Sequence, residues 1–183
     1  MPSERIEFQQ VIEGLLGGAL EADKDPALIE KLRAAGLDLT KKLQPAYPAA
    51  EFFRWATLAA RHRYPDVSEE EAVRELGRLA VRRGLEATFL GRAVLKAAQL
   101  LGVRRSLKRL GGTMKNGNNY IDGEVTELTP NSLEIKLGPL VGPASYYEGI
   151  LDEAPKILGA RENQVTRVRT EGEHQVWRVD WKD

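Results

Sequence analysis

The most chemically suggestive residues of this sequence are five cations that occur between positions 104 and 115 with no acid among them. On a helix, Arg104 lies one turn from Lys108. Arg105 and Arg109 have the same spacing, so these four charges share one face. Because like charges at this spacing repel each other, the face is stabilised when it binds anions. We predict an anion-binding or partner-binding site formed by Arg104, Arg105, Lys108, Arg109 and Lys115.

An ordinary explanation of these cations is also open: they are solvated, or they pair with acids elsewhere in the chain. The charge is unevenly placed, with a balance of −4 over residues 1–73, +9 over 74–115 and −5 over 116–183. A second ladder in the basic part, at i, i+4 spacing, consists of Arg74, Arg78 and Arg82. Its partners are the protein's own carboxylates, those of another protein, or phosphates.

Catalytic and metal-binding chemistry has little support in the sequence. There is no cysteine, which excludes disulfides, thiolate metal ligands and a cysteine nucleophile. The two histidines, His62 and His174, are too few for a metal centre unless carboxylates complete it. The acids at 69–71 begin a predicted helix, where the macrodipole favours negative charge. We therefore predict no catalytic residue, no metal and no cofactor.

Aromatic side chains provide the second candidate site. They occur on predicted helices and on a predicted strand, where they could line an apolar pocket between the two kinds of structure. An aromatic stripe at helical spacing is also typical of a hydrophobic core, and the core is the alternative explanation. The predicted pocket residues are Phe52, Trp55, Phe89, Tyr146, Tyr147 and Trp177, with Phe53 as a further member.

Helical periodicity covers the first two-thirds of the chain. Asp25-Pro26 predicts a helix start, with aspartate as the N-cap and proline in the first turn. Ser68 and Glu71 form a capping box that opens another helix. Apolar residues three and four apart predict a longer helix over Thr88–Leu101. Gly102 is predicted to interrupt it before a short basic helix.

Period-two alternation replaces the helical pattern in the last third of the chain. Two strands are predicted around the turn at 129–131, and two more around the loop at 171–173. Between the two pairs, Ser145 and Glu148 form a second capping box that predicts a helix start. Pro155 is predicted to kink or shorten this helix.

This order of elements predicts an α+β fold, in which a helical N-terminal part packs on a four-stranded, mostly antiparallel sheet with a crossing helix. We predict a helical subdomain over residues 1–115 and an α+β subdomain over residues 116–183, together forming one compact unit. No apolar run approaches the roughly 20 residues of a membrane span. The N-terminal sequence lacks the pattern of a signal peptide, so we expect a cytoplasmic protein.

Seven stretches in a fixed order carry a resemblance to a known family. They are VIEGLL, GLDLTKKLQPAYP, EAVRELGRLAVRRGLEATFLGRA, LLGVRRSLKRL, NGNNY, YYEGILDEAPKILGA and VWRVDW, and together they span roughly residues 8–181. On these stretches the chain resembles a myxobacterial family of paralogous domains of unknown function. The resemblance implies no particular biochemical activity.

The C-terminal stretches YYEGILDEAPKILGA, VTRVRT and VWRVDW are similar to a wider superfamily of ligand-binding and trafficking domains. It comprises the haem-nitric-oxide/oxygen-binding sensors, the four-vinyl-reductase domains and the TRAPP transport subunits. The resemblance implies a helix that crosses an antiparallel sheet, and an apolar pocket between the sheet and the helical part. The Tyr-x-Ser-x-Arg signature of the haem sensors is missing here, and so are the cysteines of many four-vinyl-reductase domains. Both departures argue against haem or a metal.

We therefore expect a non-enzymatic, cytoplasmic sensor or adaptor domain that binds a small molecule or a protein partner. Two alternatives stay open. One is a nucleotide or phosphate ligand at the basic face of residues 104–115, and the other is an enzyme whose site is not visible in the sequence. The zero net charge and the few aromatics among the cations disfavour nucleic acid as a partner. A homodimer is left open.

Overall fold

The computed structural model describes residues 4–87 and 89–182. In chain order, its helices are α1 (Gln9–Ile12), α2 (Pro26–Ala34), α3 (Ala49–Arg63), α4 (Glu69–Leu79), α5 (Leu85–Ala87), α6 (Phe89–Leu107), α7 (Leu110–Met114) and α8 (Ala144–Ile157). The strands are β1 (Ile6–Phe8), β2 (Ala46–Pro48), β3 (Asp122–Thr129), β4 (Ser132–Gly138), β5 (Glu162–Glu171) and β6 (His174–Lys182). Helix α1 continues as π-helix over Glu13–Ala19, and α4 continues as π-helix over Ala80–Gly84.

The C-terminal strands form one antiparallel sheet in the order β3-β4-β6-β5. The two central strands pair with Ile135 opposite Trp177, and both side chains are fully buried. Alternate residues of β4 and β6 thus face the core, as expected of an antiparallel sheet with one covered face. Helix α8 crosses that face and packs against β5 and β6. The predicted α+β fold, with its four-stranded antiparallel sheet and crossing helix, is confirmed.

A second, two-stranded sheet lies in the N-terminal part, where only helices were predicted. Strands β1 and β2 pair antiparallel, with Glu7 opposite Tyr47. Glu7 also forms an isolated bridge with Asn118, which ties the start of the chain to the loop after α7. Each strand has three residues, too few for a period-two pattern to stand out in the sequence.

Two of the predicted helix starts are confirmed, and one is wrong. Asp25 accepts a hydrogen bond from the backbone N–H of Leu28 (3.0 Å), and Ser68 accepts one from Glu71 (3.2 Å). Helix α8, however, begins at Ala144 after Pro143, so Ser145 lies inside the helix and is buried. Pro143 takes the N-cap position, two residues before the predicted serine cap.

The long helix α6 contains the predicted interruption. Gly102 has φ +76°, which lies outside the helical region and suits glycine. Thr88, the first residue of the predicted helix, lies outside the described residues. Helix α8 continues for two residues beyond Pro155, and Gly159 (φ +107°) follows its end. Among the described helices, none is long and apolar enough to span a bilayer.

Helices α4 and α8 approach each other so closely that glycine is required at the crossing. A Cβ atom on Gly77 would lie 2.1 Å from the carbonyl oxygen of Tyr146. A Cβ on Gly149 would lie 2.0 Å from the carbonyl oxygen of Arg74. Backbone atoms on the other helix cannot move away as a side chain could, so these two glycines set the helix separation. This contact places α8 between the helical part and the sheet.

Candidate functional site

A partly open cavity of about 300 Å³ lies between α6 and the helices α1, α3 and α8. Its size is at the lower end of the range for small-molecule pockets. Most of its surface is aliphatic, contributed by the inner sides of several helices. The aliphatic lining includes Val11, Leu15, Val81, Leu85, Val94, Leu95, Ala98, Leu107, Leu110, Ile150, Ala154, Ile157 and Leu158.

Aromatic rings form one wall of this cavity. Three residues of the predicted pocket, Phe52, Tyr146 and Tyr147, line it, as does Phe53. The ring centroids of Phe53 and Tyr146 are 5.6 Å apart, and those of Tyr146 and Tyr147 are also 5.6 Å apart. Both pairs have edge-to-face geometry, which is favourable for aromatic rings. The wall therefore joins α3 to the start of α8.

The other three predicted pocket residues do not line the cavity. Trp55 is buried against the end of α2, where its Nε1–H donates to the carbonyl oxygen of Ala35 (2.8 Å). Phe89 is 83% exposed at the start of α6. Trp177 is a core residue of the sheet, in ring contact with Tyr147 (6.5 Å between centroids). Periodicity placed these aromatics on the correct elements but could not say which face each would turn to the cavity.

A cluster of polar groups lies at one end of the cavity. Glu7 of β1 is 4% exposed, lines the cavity, and accepts a hydrogen bond from the hydroxyl of Tyr120 (2.5 Å). Burial raises the pKa of Glu7 to about 7, although the Tyr120 hydrogen bond acts to lower it. The hydroxyl of Tyr147 is buried beside the hydroxyl of Tyr120 and makes no hydrogen bond of standard geometry. Burial, together with the neighbouring Tyr120 and Glu7, raises the pKa of Tyr147 well above its ordinary value.

Other polar side chains of the lining already have partners within the fold. Gln10 donates to the carbonyl oxygen of Asn116 (2.5 Å), and Ser106 donates to that of Ala98 (2.7 Å). The side-chain oxygen of Asn118 accepts the backbone N–H groups of Tyr120 and Ile121. These groups therefore shape the cavity wall, whereas Glu7 and Tyr147 keep hydrogen-bonding capacity for a ligand.

Sequence reasoning did not single out Glu7. The signal that could have found it is a lone acid between two apolar residues, Ile6 and Phe8, in a stretch with strand propensity. On a strand, the side chain of this acid points to the opposite face from those of Ile6 and Phe8. In this protein that face is turned to the interior, since Glu7 is buried. The bridge to Asn118, far along the chain, is what buries it here.

The predicted basic face is partly neutralised within the protein. Arg104 and Lys108 both form ion pairs with Glu127 of β3, and Lys115 pairs with Asp122 (2.7 Å). Arg105 and Arg109 are exposed, and neither makes an ion pair with any described residue. The opposite side of this helical turn is buried through Val103 and Leu107, as the spacing predicts.

The second arginine ladder is paired with the protein's own carboxylates. Arg74 binds Glu148 (3.0 Å), Arg78 binds Asp152 (2.7 Å) and Arg82 binds Glu153 (2.8 Å). The ladder on α4 and its π-helical extension is matched by three acids of α8. The sequence left three kinds of partner open for these arginines. The structure shows that they pair with carboxylates of the same chain.

Neither histidine reaches the cavity. His62 Nε2 lies 2.9 Å from Asp25 Oδ2, and its Nδ1 accepts from Lys31 Nζ (3.0 Å), so the ring links α3 to the start of α2. His174 begins β6 beside the hairpin loop. The described residues contain no group of three or more His, Cys, Asp or Glu placed to hold a metal ion.

The lining of the cavity does not fit haem, which had to be considered because the sequence resembles the haem sensors. Across the described lining residues there is no His or Cys to bind iron, and no Lys or Arg to neutralise propionates. Tyrosine binds haem iron as a phenolate, but burial raises the pKa of Tyr146 and Tyr147 and opposes ionisation. Met114 offers only a thioether. We derive no haem chemistry for this cavity.

Solved structures of H-NOX domains have the same fold. A structure concerned with the molecular mechanism of H-NOX activation is 14% identical, with a TM-score of 0.69 and 97% of both chains covered. An oxygen-binding H-NOX domain related to soluble guanylate cyclases, in its oxygen complex, is 14% identical, with a TM-score of 0.68 and 94% of both chains covered. A mutant H-NOX of T. tengcongensis is 14% identical, with a TM-score of 0.61, and 97% of this chain and 98% of that one are covered. Identities this low establish similarity of fold alone.

The amino-acid sequence matches a protein family that has no assigned function. No curated protein matches the chain. A family model described as a protein of unknown function, DUF2378, matches residues 5–182, which is nearly the whole sequence. The chain is therefore a member of the DUF2378 family of proteins of unknown function.

Proposed function

We propose that this protein is a non-enzymatic sensor or adaptor domain whose small-molecule ligand binds in the cavity beneath α6. The observation that carries the proposal is the cavity itself, about 300 Å³ and mostly apolar, with Glu7 and the buried hydroxyl of Tyr147 at one end. A few polar groups in an otherwise apolar pocket are typical of ligand sites, where they fix the orientation of the ligand.

The fold comparison supports a binding role. One structure with this fold is an oxygen-binding H-NOX domain, so the architecture is compatible with holding a small ligand. The lining of the present cavity differs in chemistry, since it suits an organic molecule and not haem. A non-enzymatic role is favoured because the cavity contains one carboxylate, that of Glu7, and neither histidine.

Helix α6 provides a route from the cavity to the surface. Its inner side contributes Val94, Leu95 and Ala98 to the lining, while Phe89 and Leu100 are 83% and 87% exposed on its outer side. Gly102 breaks the helix between the cavity segment and the basic turn. A ligand that shifts the inner side of α6 also shifts the exposed apolar residues on its outer side, to which a protein partner can bind.

The proposal predicts that N-phenyl-1-naphthylamine, an uncharged fluorescent probe of apolar pockets, binds the protein with enhanced fluorescence. Ala98→Trp fills the cavity from α6 and is expected to weaken probe binding at least about tenfold, or 1.4 kcal/mol. Ala97→Trp, at the adjacent exposed position, should leave the affinity unchanged. Fluorescence titration of the three proteins measures the effect.

Two results would contradict the proposal. One is the absence of saturable probe binding to the native chain, and the other is equal binding by both tryptophan variants. Circular dichroism confirms that each variant is folded before the affinities are compared.

A second candidate function, binding of an anion at the basic face, is favoured by the exposure of Arg105 and Arg109 without ion pairs among the described residues. We predict that ATP, used as the polyanionic probe, binds weakly at low salt and loses affinity steeply as salt rises. The double variant Arg105→Glu with Arg109→Glu should abolish this binding. If calorimetry shows the same ATP affinity for the variant and the native chain, the face is only solvated.

A further inference from the structure

The polar end of the cavity contains a carboxyl group that lacks a cationic partner. Glu7 is 4% exposed, and none of the described Lys, Arg or His residues forms an ion pair with it. The carboxyl group of Glu7 accepts a hydrogen bond from the neutral hydroxyl of Tyr120 (2.5 Å). Carboxylates buried in proteins are normally paired with a positive charge, because an isolated buried charge is costly. The cation that would complete this site is absent from the fold.

The second polar group with spare hydrogen-bonding capacity is the hydroxyl of Tyr147, which is buried, lines the same cavity, and has the Tyr120 hydroxyl as a neighbour but no hydrogen bond of standard geometry. A buried hydroxyl without such a hydrogen bond is unusual and calls for an explanation, such as a bound ligand. A hydroxyl can accept a hydrogen bond as well as donate one. When Glu7 is ionised, it accepts hydrogen bonds, and the Tyr147 hydroxyl can accept one too. A ligand that satisfies the two groups must therefore be a hydrogen-bond donor.

Aromatic faces favour the same kind of group. Phe52, Phe53, Tyr146 and Tyr147 all line the cavity, and successive ring centroids along this wall are 4.9, 5.6 and 5.6 Å apart. The negative faces of such rings attract organic cations. An anionic ligand would be repelled by an ionised Glu7, and a purely aliphatic ligand would give neither Glu7 nor Tyr147 a further hydrogen bond.

We infer that the cavity selects an organic amine, whose protonated amino group binds between Glu7 and Tyr147 and whose apolar body fills the space beneath α6. This inference rests on the proposed function, since it names the chemical class of ligand for the same cavity. The ammonium supplies both the missing positive charge and the N–H donors. The aliphatic walls from α6 and α8 accommodate a hydrocarbon body.

The inference is tested with two ligands of nearly equal shape, n-octylamine and 1-octanol, in competition with N-phenyl-1-naphthylamine at pH 8. At this pH the amine is protonated, and Glu7, whose pKa burial raises to about 7, is mostly ionised. We expect octylamine to displace the probe at a concentration at least about tenfold lower than octanol. Glu7→Gln should bring the two ligands to equal affinity, with each competition referred to the probe affinity measured for that variant.

Two controls accompany the test. Glu4→Gln removes a nearby exposed carboxyl and should keep the full preference for the amine, which excludes general electrostatic attraction. Tyr147→Phe, which keeps the ring, should reduce the preference without abolishing it. This second variant also provides an answer if Glu7→Gln does not fold.

The outcomes separate this inference from the proposed function. If the probe binds but octylamine and octanol compete equally, or if Glu7→Gln keeps the preference, the amine assignment is overturned and the cavity remains a ligand site. If neither the probe nor either competitor binds, the proposed function and this inference both fail.

Discussion

Replacing Glu148 with alanine is expected to lower the free energy of unfolding by about 3 kcal/mol at neutral pH. The Glu148 carboxylate accepts hydrogen bonds from Arg167 (2.6 Å), Arg74 (3.0 Å) and the indole of Trp177 (3.1 Å). Its side chain is 12% exposed, so little water would replace it. The substitution leaves two half-buried guanidinium groups and a buried indole N–H with a partner missing. Urea denaturation followed by circular dichroism measures the loss.

The matched control is Glu127→Ala. Glu127 also pairs with two cations, Arg104 and Lys108, but both of these are about half exposed at the surface. Exposed ion pairs contribute little, so this variant should lose less than about 1 kcal/mol. Equal losses in the two variants would show that the contacts of Glu148 between α4, α8 and the sheet do not stabilise the fold more than a surface pair.

The pKa of Glu148 agrees with this stabilising role. Burial acts to raise the pKa, but hydrogen bonds from Arg167, Trp177 and Arg74 outweigh burial and hold it below its ordinary value. A carboxylate with a lowered pKa stabilises the folded state above its ordinary pKa and loses that contribution as the pH falls. The junction of α4, α8 and the sheet is thus stable at neutral pH and weakens in acid.

The arginine ladder illustrates what the sequence can predict and what it cannot. The spacing of Arg74, Arg78 and Arg82 requires that anions lie along one face of α4, and this much is local. Their partners are on α8, about 70 residues later in the chain. Which acids meet the ladder is decided by the close crossing at Gly77 and Gly149, and a sequence pattern does not record that crossing.

Local signals were reliable where the chemistry is also local. The Asp25 and Ser68 caps each involve a residue three positions away, and both hydrogen bonds are present. The expected cap at Ser145 was wrong because Pro143, two residues earlier, takes the N-cap position. Where two local signals compete within a few residues, the sequence pattern alone does not rank them.

The cavity depended on non-local contacts and was therefore only partly predictable. Phe52, Tyr146 and Tyr147 could be proposed because aromatic residues at helical spacing must pack against something. Glu7 could not, because its burial depends on the pairing of β1 with β2 and on the bridge to Asn118. The most informative residue of the site is thus the one that tertiary structure alone buries.

The similarity to H-NOX domains is a similarity of fold. The same arrangement of helices over an antiparallel sheet is seen at 14% identity. The ligand that we propose for this cavity would be selected by a few of its lining side chains, Glu7, Tyr147 and the aromatic wall.

Glu7→Gln is expected to stabilise the protein in a pH-dependent manner, by about 2 to 3 kcal/mol more at pH 8.5 than at pH 5. Burial raises the pKa of Glu7 from its ordinary value of 4.5 to about 7 in the folded protein. Between these values the folded state keeps a proton that the unfolded chain has lost, so stability falls as the pH rises and levels off above about 7. Glutamine does not ionise and removes this loss.

The neighbours of Glu7 do not complicate the measurement. The groups that face it from other elements are Tyr120, Tyr146 and Tyr147, and burial raises the pKa of each, so all three stay neutral over this range. Urea denaturation of the native chain, Glu7→Gln and the exposed control Glu4→Gln at pH 5 and pH 8.5 gives the difference directly. Only Glu7→Gln should show a stability gain that grows with pH. A gain of equal size at both pH values would mean that Glu7 is already ionised at pH 5, and hence that its carboxylate is solvated or paired in a way that leaves no need for a ligand cation.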